Sequence, residues 1–129
     1  MRKAFIREDN VWAFMAAQRQ SSIPRSQWFN EGEVNVYLRA SQYHYNLETR
    51  EFEWAAGVSN VNVKAHSRQR GHFSRFLARL EQEAKAMNYQ HVRVEEVTNP
   101  FLARYLERQG YTIHGIADIS PIYIKTLQE

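Results

Sequence analysis

Apolar positions along this chain keep two rhythms, and the change between them falls at Gly71. Before Gly71 most apolar residues alternate with polar ones. RKAFIR (2–7) has the alternation of a short first strand. VNVYLRASQYHY (34–45) places Val34, Val36, Leu38 and Ala40 two apart, and NLETR (46–50) offers a turn. EFEWAAGVSNVNVK (51–64) then reads as one long strand, or as two broken near Gly57, where a bulge would fit. The exception is VWAFMAAQRQ (11–20), whose Val11, Phe14, Met15 and Ala17 recur at helical spacing behind the capping candidates Asp9 and Asn10. Pro24 in SSIPRS (21–26) ends that helix.

After Gly71 the period becomes helical. Phe73, Phe76, Leu77, Leu80, Ala84 and Met87 form one apolar stripe, with Arg75, Arg79, Glu81, Glu83 and Lys85 off it. HVRVEEV (91–97) is a further strand. Asn99 caps a short helix with Pro100 at its first position, where a missing N–H costs nothing, and Gly110 stops it. YTIHGIADIS (111–120) and PIYIKTL (121–127) read as closing strands parted near Ser120 and Pro121. No repeat, low-complexity run or linker interrupts the order. The pattern predicts one α/β domain over residues 1–129, a mixed central sheet of about six to seven strands flanked by about three helices.

Composition narrows the classes. The 129 residues are 43% apolar and 13% aromatic, which suits one globular domain rather than a disordered chain. There is no cysteine, so disulfides and thiol chemistry are excluded and a reducing compartment is allowed. No apolar run approaches the roughly 18 residues of a membrane span, and no signal-peptide core opens the chain. The expectation is a soluble, cytoplasmic protein without a membrane partner. The five histidines (44, 66, 72, 91 and 114) show neither HxxxH nor HExxH spacing, so no metal site is expected.

Charge is more informative in its placement than in its sum of +3. KAHSRQRGHFSRFLARL (64–80) holds Lys64, Arg68, Arg70, Arg75 and Arg79 and no acidic residue. Against fourteen acidic residues, the twelve basic residues elsewhere leave −2. A local basic stretch without interleaved aromatics does not favour a nucleic-acid partner. Its geometry offers something narrower. A strand runs into a loop, a glycine follows, and a helix starts. The first turn of a helix presents unpaired N–H groups and a positive dipole end, and Gly71 permits close backbone approach. That is a pyrophosphate cradle, or else a solvated basic helix start. Neither GxxxxGK[ST] nor GxGxxG is present.

RQRGHF (68–73) resembles the [R/Q]-x-x-G-x-[G/A] loop of the GNAT superfamily of acyl-CoA-dependent N-acyltransferases. Arg68 and Gly71 match, while Phe73 stands in place of the last small residue. NPFLARYLERQGY (99–111) is similar to that family's later helix, and a helix and a strand separate the two blocks as the family requires. GHFSRFL is similar to compact bacterial and bacteriophage members.

The resemblance implies acetyl-CoA as co-substrate, with Arg68, Gln69, Arg70, Gly71, His72, Phe73 and Ser74 around its pyrophosphate. It places Val61, Asn62 and Val63 on the strand whose backbone pairs with the pantetheine arm, although these also serve as ordinary strand residues. Asn99 falls where the family often contacts the cofactor, and also where a helix needs a cap. The family's frequent tyrosine acid falls on Leu106, one residue and about 100° of helix from Tyr105, so Tyr105 is either core or a proton donor.

An amine nucleophile must lose a proton, and Asn60 and Asn62 cannot take it. Glu95 and Glu96 are the nearest carboxylates, on opposite faces if the strand is regular; the resemblance to compact members favours Glu95, with bulk water as the other acceptor. Tyr37, Tyr43, Tyr45 and Trp54 either line a groove or fill the core. The implied function is acetyl transfer to a primary amine, on a small molecule or a protein, by direct attack in a ternary complex. The alternative is an inactive module of the same shape that binds coenzyme A or a protein. Acceptor loops vary most in this fold, and SIPRSQWFNEGE (22–33) holds no readable code for the acceptor.

Overall fold

The computed structural model describes residues 10–63, 71–114 and 121–127, with backbone only at 60–63. The expected first strand at 2–7, Arg68, Gln69 and Arg70 of the loop, residues 115–120 of the expected closing strand, and the side chains of Val61, Asn62 and Val63 lie outside the described residues.

Among the described residues three helices and six strands follow one another as α1 (Val11–Arg19), β1 (Arg25–Glu31), β2 (Val34–Asn46), β3 (Glu51–Val63), α2 (His72–Ala86), β4 (His91–Val94), α3 (Pro100–Arg108), β5 (Thr112–His114) and β6 (Ile122–Thr126). They build one mixed sheet in the order β1-β2-β3-β4-β6-β5. Among the described strands only β3 and β4 run parallel, with Ala55 opposite His91 and Val58 opposite Val94. The crossover that parallel pairing requires is α2. No helix among the described residues is long and apolar enough to cross a membrane.

The helical stripe does what its period predicts. Phe76, Leu77, Leu80 and Ala84 of α2 are buried against Val92 and Val94 and the inward residues Val34, Val36, Leu38 and Ala40 of β2. Burying each larger side chain of this kind stabilises by roughly 1.5–3 kcal/mol. Helix α1 closes the same core, with Trp12 5.8 Å from Phe76 and Phe14 5.2 Å from Phe29 between ring centroids. Tyr89 is buried beneath it and donates to the Met15 carbonyl at 2.6 Å. The groove alternative for Trp54 gives way to packing: it lies 5.8 Å from Tyr89, and the Arg19 guanidinium covers it at 4.2 Å.

Three local expectations are corrected. SIPRSQWFNEGE is not a loop throughout, because Arg25–Glu31 pairs along β2 in a hairpin that turns at Gly32 and Glu33. Only Phe29 of this edge strand is deeply buried, so the alternation that marks a strand is faint there. Strand β3 is unbroken at Gly57; the irregularities are in the pairing of β2 with β3, at Asn35/Tyr37 and Gln42/His44. Gly57 serves another end. A Cβ there would collide with the Tyr43 hydroxyl, and Glu95 Oε2 stands 3.3 Å from the same point. Lastly, the strand predicted over 91–97 stops at Val94, and Glu96 takes a left-handed backbone with φ 58°.

Candidate functional site

The early stop of β4 creates the site. Glu95 N–H still donates to the Val58 carbonyl at 2.8 Å, the last rung between the parallel strands. The turn at Glu96 then carries the chain off, and Val97 N–H donates to the Pro121 carbonyl on the β6 side at 3.1 Å. Strand β3 continues alone to Val63, paired on its other edge with β2 (Asn62 opposite Asn35, Val63 opposite Val34). Two parallel strands therefore part beyond Val58, and the predicted backbone-pairing stretch 61–63 lies on the strand that continues.

Helix α2 starts downstream of that strand. Gly71 is its N-cap residue in the left-handed region (φ 76°, ψ 14°), and no side chain among the described residues caps the helix there. Ser74 Oγ donates to the Gly71 carbonyl at 3.0 Å. Arg75 folds back over the start: its Nη2 lies 3.2 Å from His72 Nδ1, and its Nη1 stands 2.9 Å from where a Gly71 Cβ would be. The structure thus brings Gly71, His72 and Ser74 together with a guanidinium that the family pattern did not single out. Phe73 packs against the core with its ring 6.4 Å from that of Phe76, so the residue that departs from the family loop belongs to the apolar stripe.

Asn99 caps α3, its Oδ1 accepting from Phe101 N–H at 2.8 Å and Leu102 N–H at 3.4 Å. On the same helix Leu106 is fully buried, and Tyr105, one position back, is half-buried against the core. Glu95 and Glu96 do not alternate as regular strand residues. Glu96 is exposed at the turn. Glu95 accepts from Arg39 Nη2 on both oxygens, at 3.2 and 3.0 Å, and pairs with Arg93 Nε at 3.5 Å. Tyr43 completes that group: its ring lies 4.6 Å from the Arg39 guanidinium and 4.8 Å from that of Arg93. Burial, and then the Glu95 charge, push the Tyr43 phenol well above its usual range. Tyr43 and Arg39 were not legible as partners of Glu95, because they come from β2, far earlier in the chain, and Arg93 was not, because its side chain pairs with Glu95 only through the strand's register.

A second convergence lies at the opposite end of β4. His44, Glu53 and His91 bring one ligand atom each to within 4.8 Å of one another, without any local spacing that announces it. Burial first, then the neighbouring His91, push His44 down to about 4, so its ring is neutral at pH 7.

Solved structures of GNAT-family acetyltransferases share this fold. A candidate acetyltransferase from Agrobacterium tumefaciens superposes over 98% of this chain and 99% of its own, with TM-score 0.55 and 17% identity. A candidate acetyltransferase from Salmonella typhimurium, solved with its cofactor acetyl-CoA, matches over 74% of this chain and 65% of its own (TM-score 0.51, 17% identity). Ard1 from Thermoplasma volcanium matches over 73% and 64% (TM-score 0.50, 19% identity). The chain thus spans just under two thirds of the latter two. No family model matches the sequence, and no curated protein matches it.

Proposed function

We propose that this chain transfers an acetyl or related acyl group from acyl-CoA to a primary amine by direct attack in a ternary complex. The observation that carries the reading is the unsealed start of α2, placed just after a strand that outruns its parallel partner. The residues fit the cofactor: among the described residues no side-chain cap takes the donors of the first helical turn, and a Cβ at Gly71 would crowd that turn from a left-handed backbone. Peptide N–H groups of that turn bind the pyrophosphate, with Arg75, Arg68 and Arg70 adding charge. The backbone at 61–63 orients the pantetheine arm. Bound acyl-CoA supplies an activated thioester carbonyl. The amine forms the new C–N bond as the C–S bond breaks, and with no cysteine in the chain no acyl-enzyme on sulfur forms. Positioning dominates the rate.

Glu96 takes the amine proton, since its carboxylate is exposed where the strands part whereas the oxygens of Glu95 are held by Arg39 and Arg93. Solvent protonates the departing thiolate. The second reading, a module that binds coenzyme A without turnover, draws on that same engagement of Glu95. Calorimetry with coenzyme A, followed by thiol release from acetyl-CoA against a panel of amines, separates them. Heat with amine-dependent thiol release supports the transferase; heat with no release on any amine supports the module; no heat sinks both. In the transferase, Glu96→Gln lowers turnover about a hundredfold, within the usual range for a lost general base, and leaves coenzyme A affinity unchanged.

A further inference from the structure

The group at the far end of β4 sits on three neighbouring strands, and a bulge assembles it. Gln42 pairs with Trp54, but the next pair along is His44 with Glu53, so Tyr43 is the extra residue. One added residue reverses the alternation of faces. His44 therefore leaves the face of Leu38 and Ala40 and joins that of Glu53. His91 points the same way, because its neighbour Val92 enters the core on the other face. The three side chains meet in a nearly closed setting: His44 is 7% exposed, His91 5%, and the Glu53 side chain 14%.

The surrounding contacts are those that orient metal ligands. His91 Nε2 lies 2.6 Å from Glu53 Oε1, and His91 Nδ1 lies 3.2 Å from Thr126 Oγ1. Without an ion His91 Nε2–H donates to the Glu53 carboxylate; an ion displaces that proton, and Nδ1–H donated to Thr126 then leaves the Nε2 lone pair for the metal. Asn46 Nδ2 donates to Glu53 at 3.2 and 3.3 Å, fixing the carboxylate. The second imidazole stacks close by, with ring centroids of His44 and His91 4.2 Å apart, and the ring of His114 lies 5.4 Å from His44. Ligand atoms around tetrahedral zinc stand about 3.3 Å apart, given bonds of ~2.0–2.1 Å. The 2.6 Å pair must open, and the widest pair, at most 4.8 Å, must close, by roughly rotamer-sized adjustments.

We propose that His44, Glu53 and His91 form a binding site for a divalent transition ion of the zinc class, with His114 or water as the fourth ligand. Two imidazoles and a carboxylate are a donor set such ions favour over calcium or magnesium. The ion ties the β2–β3 hairpin to β4, at the opposite end of β4 from the parting of the strands. Its role is structural, and it stands apart from acyl transfer.

The test uses the full, tag-free chain, stripped with chelator and dialysed against Zn2+. Metal analysis is expected to find one equivalent retained, with a raised melting temperature. Co2+ is expected to give the intense visible band of a tetrahedral nitrogen and oxygen set. His44→Ala and Glu53→Gln are expected to weaken Zn2+ binding at least about a hundredfold, and Thr126→Val, which removes only the support of His91, about tenfold. Failure of the wild-type chain to retain zinc, absence of the Co2+ band, or full retention by folded His44→Ala would overturn the site. Should the variants fail to fold, the Co2+ spectrum of the wild-type chain decides alone. All readouts are independent of coenzyme A.

Discussion

Helices α2 and α3 both follow a strand and lean on the same core, yet they begin in opposite ways. The start of α3 is sealed by Asn99, whose side chain accepts from two backbone N–H groups, as Asn10 does for α1. The start of α2 is a left-handed glycine without a side-chain cap. A cap contributes about 1 kcal/mol, so a helix that goes without one needs another source of stability. Helix α2 has it: four of its residues are buried, whereas α3 buries only Leu106. The short helix depends on its cap, and the long one can leave its donors open for something else. On the proposed function, the contrast separates helix ends that hold the fold from the end that would meet the cofactor.

Changing the open start gives the largest expected effect. Gly71→Ala puts a Cβ on a backbone with φ 76° and 2.9 Å from Arg75 Nη1. The flexible arginine can move, but the left-handed backbone costs roughly 1–2 kcal/mol for a non-glycine residue. To relieve that strain the turn must rotate its N–H groups away from a bound phosphate. Coenzyme A affinity measured by calorimetry is expected to fall about tenfold or more, equivalent to at least ~1.4 kcal/mol. Unchanged affinity in a folded variant would mean that α2 does not hold the pyrophosphate.

Sealing and unsealing the other end comes next. Asn99→Ala is expected to lower stability by about 1 kcal/mol in urea unfolding, with coenzyme A affinity changed less than about twofold. The family pattern also allows Asn99 to touch the cofactor. A loss of affinity well beyond the loss of stability would assign it that second duty, and the two helix starts would no longer divide cleanly between fold and ligand.

The same division explains what could be read from the chain in advance. The period of 3.6 after Gly71, the caps at Asn10 and Asn99 and the stop at Gly110 depend on residues within a few positions of each other, and each stands where the pattern put it. Strand β1 was hidden because an edge strand with one deeply buried residue carries only a faint alternation. The left-handed turn at Glu96 was hidden because nothing in Glu-Glu signals a positive φ. The bulge at Tyr43 was hidden because Gly57, the obvious place for one, is instead the floor beneath the Tyr43 hydroxyl. For the candidate site the loop glycine and the cap were legible. Arg75 over the helix start and the Arg39–Glu95–Arg93 group were not, since they depend on how side chains fold back and on strand register. The His44–Glu53–His91 convergence spans 38 residues between its hydrogen-bonded members, beyond the reach of any spacing rule.

The smallest expected effect tests whether α3 is as purely structural as its sealed end implies. Tyr105 neighbours Leu106, which is fully buried, and its own ring is half-buried against the core. Tyr105→Phe keeps that ring and removes only the hydroxyl. If packing is its whole contribution, stability should move by no more than about 0.5 kcal/mol and turnover by less than about twofold. If the hydroxyl instead gives the leaving thiolate its proton, turnover should fall tenfold or more at unchanged coenzyme A affinity, because the loss would be felt only as the C–S bond breaks. That split between rate and affinity distinguishes the two, since a packing defect loosens the fold without selecting the transition state. A drop in turnover alone would place chemistry on the helix whose start is closed, and cap status would then cease to report which helix serves the reaction.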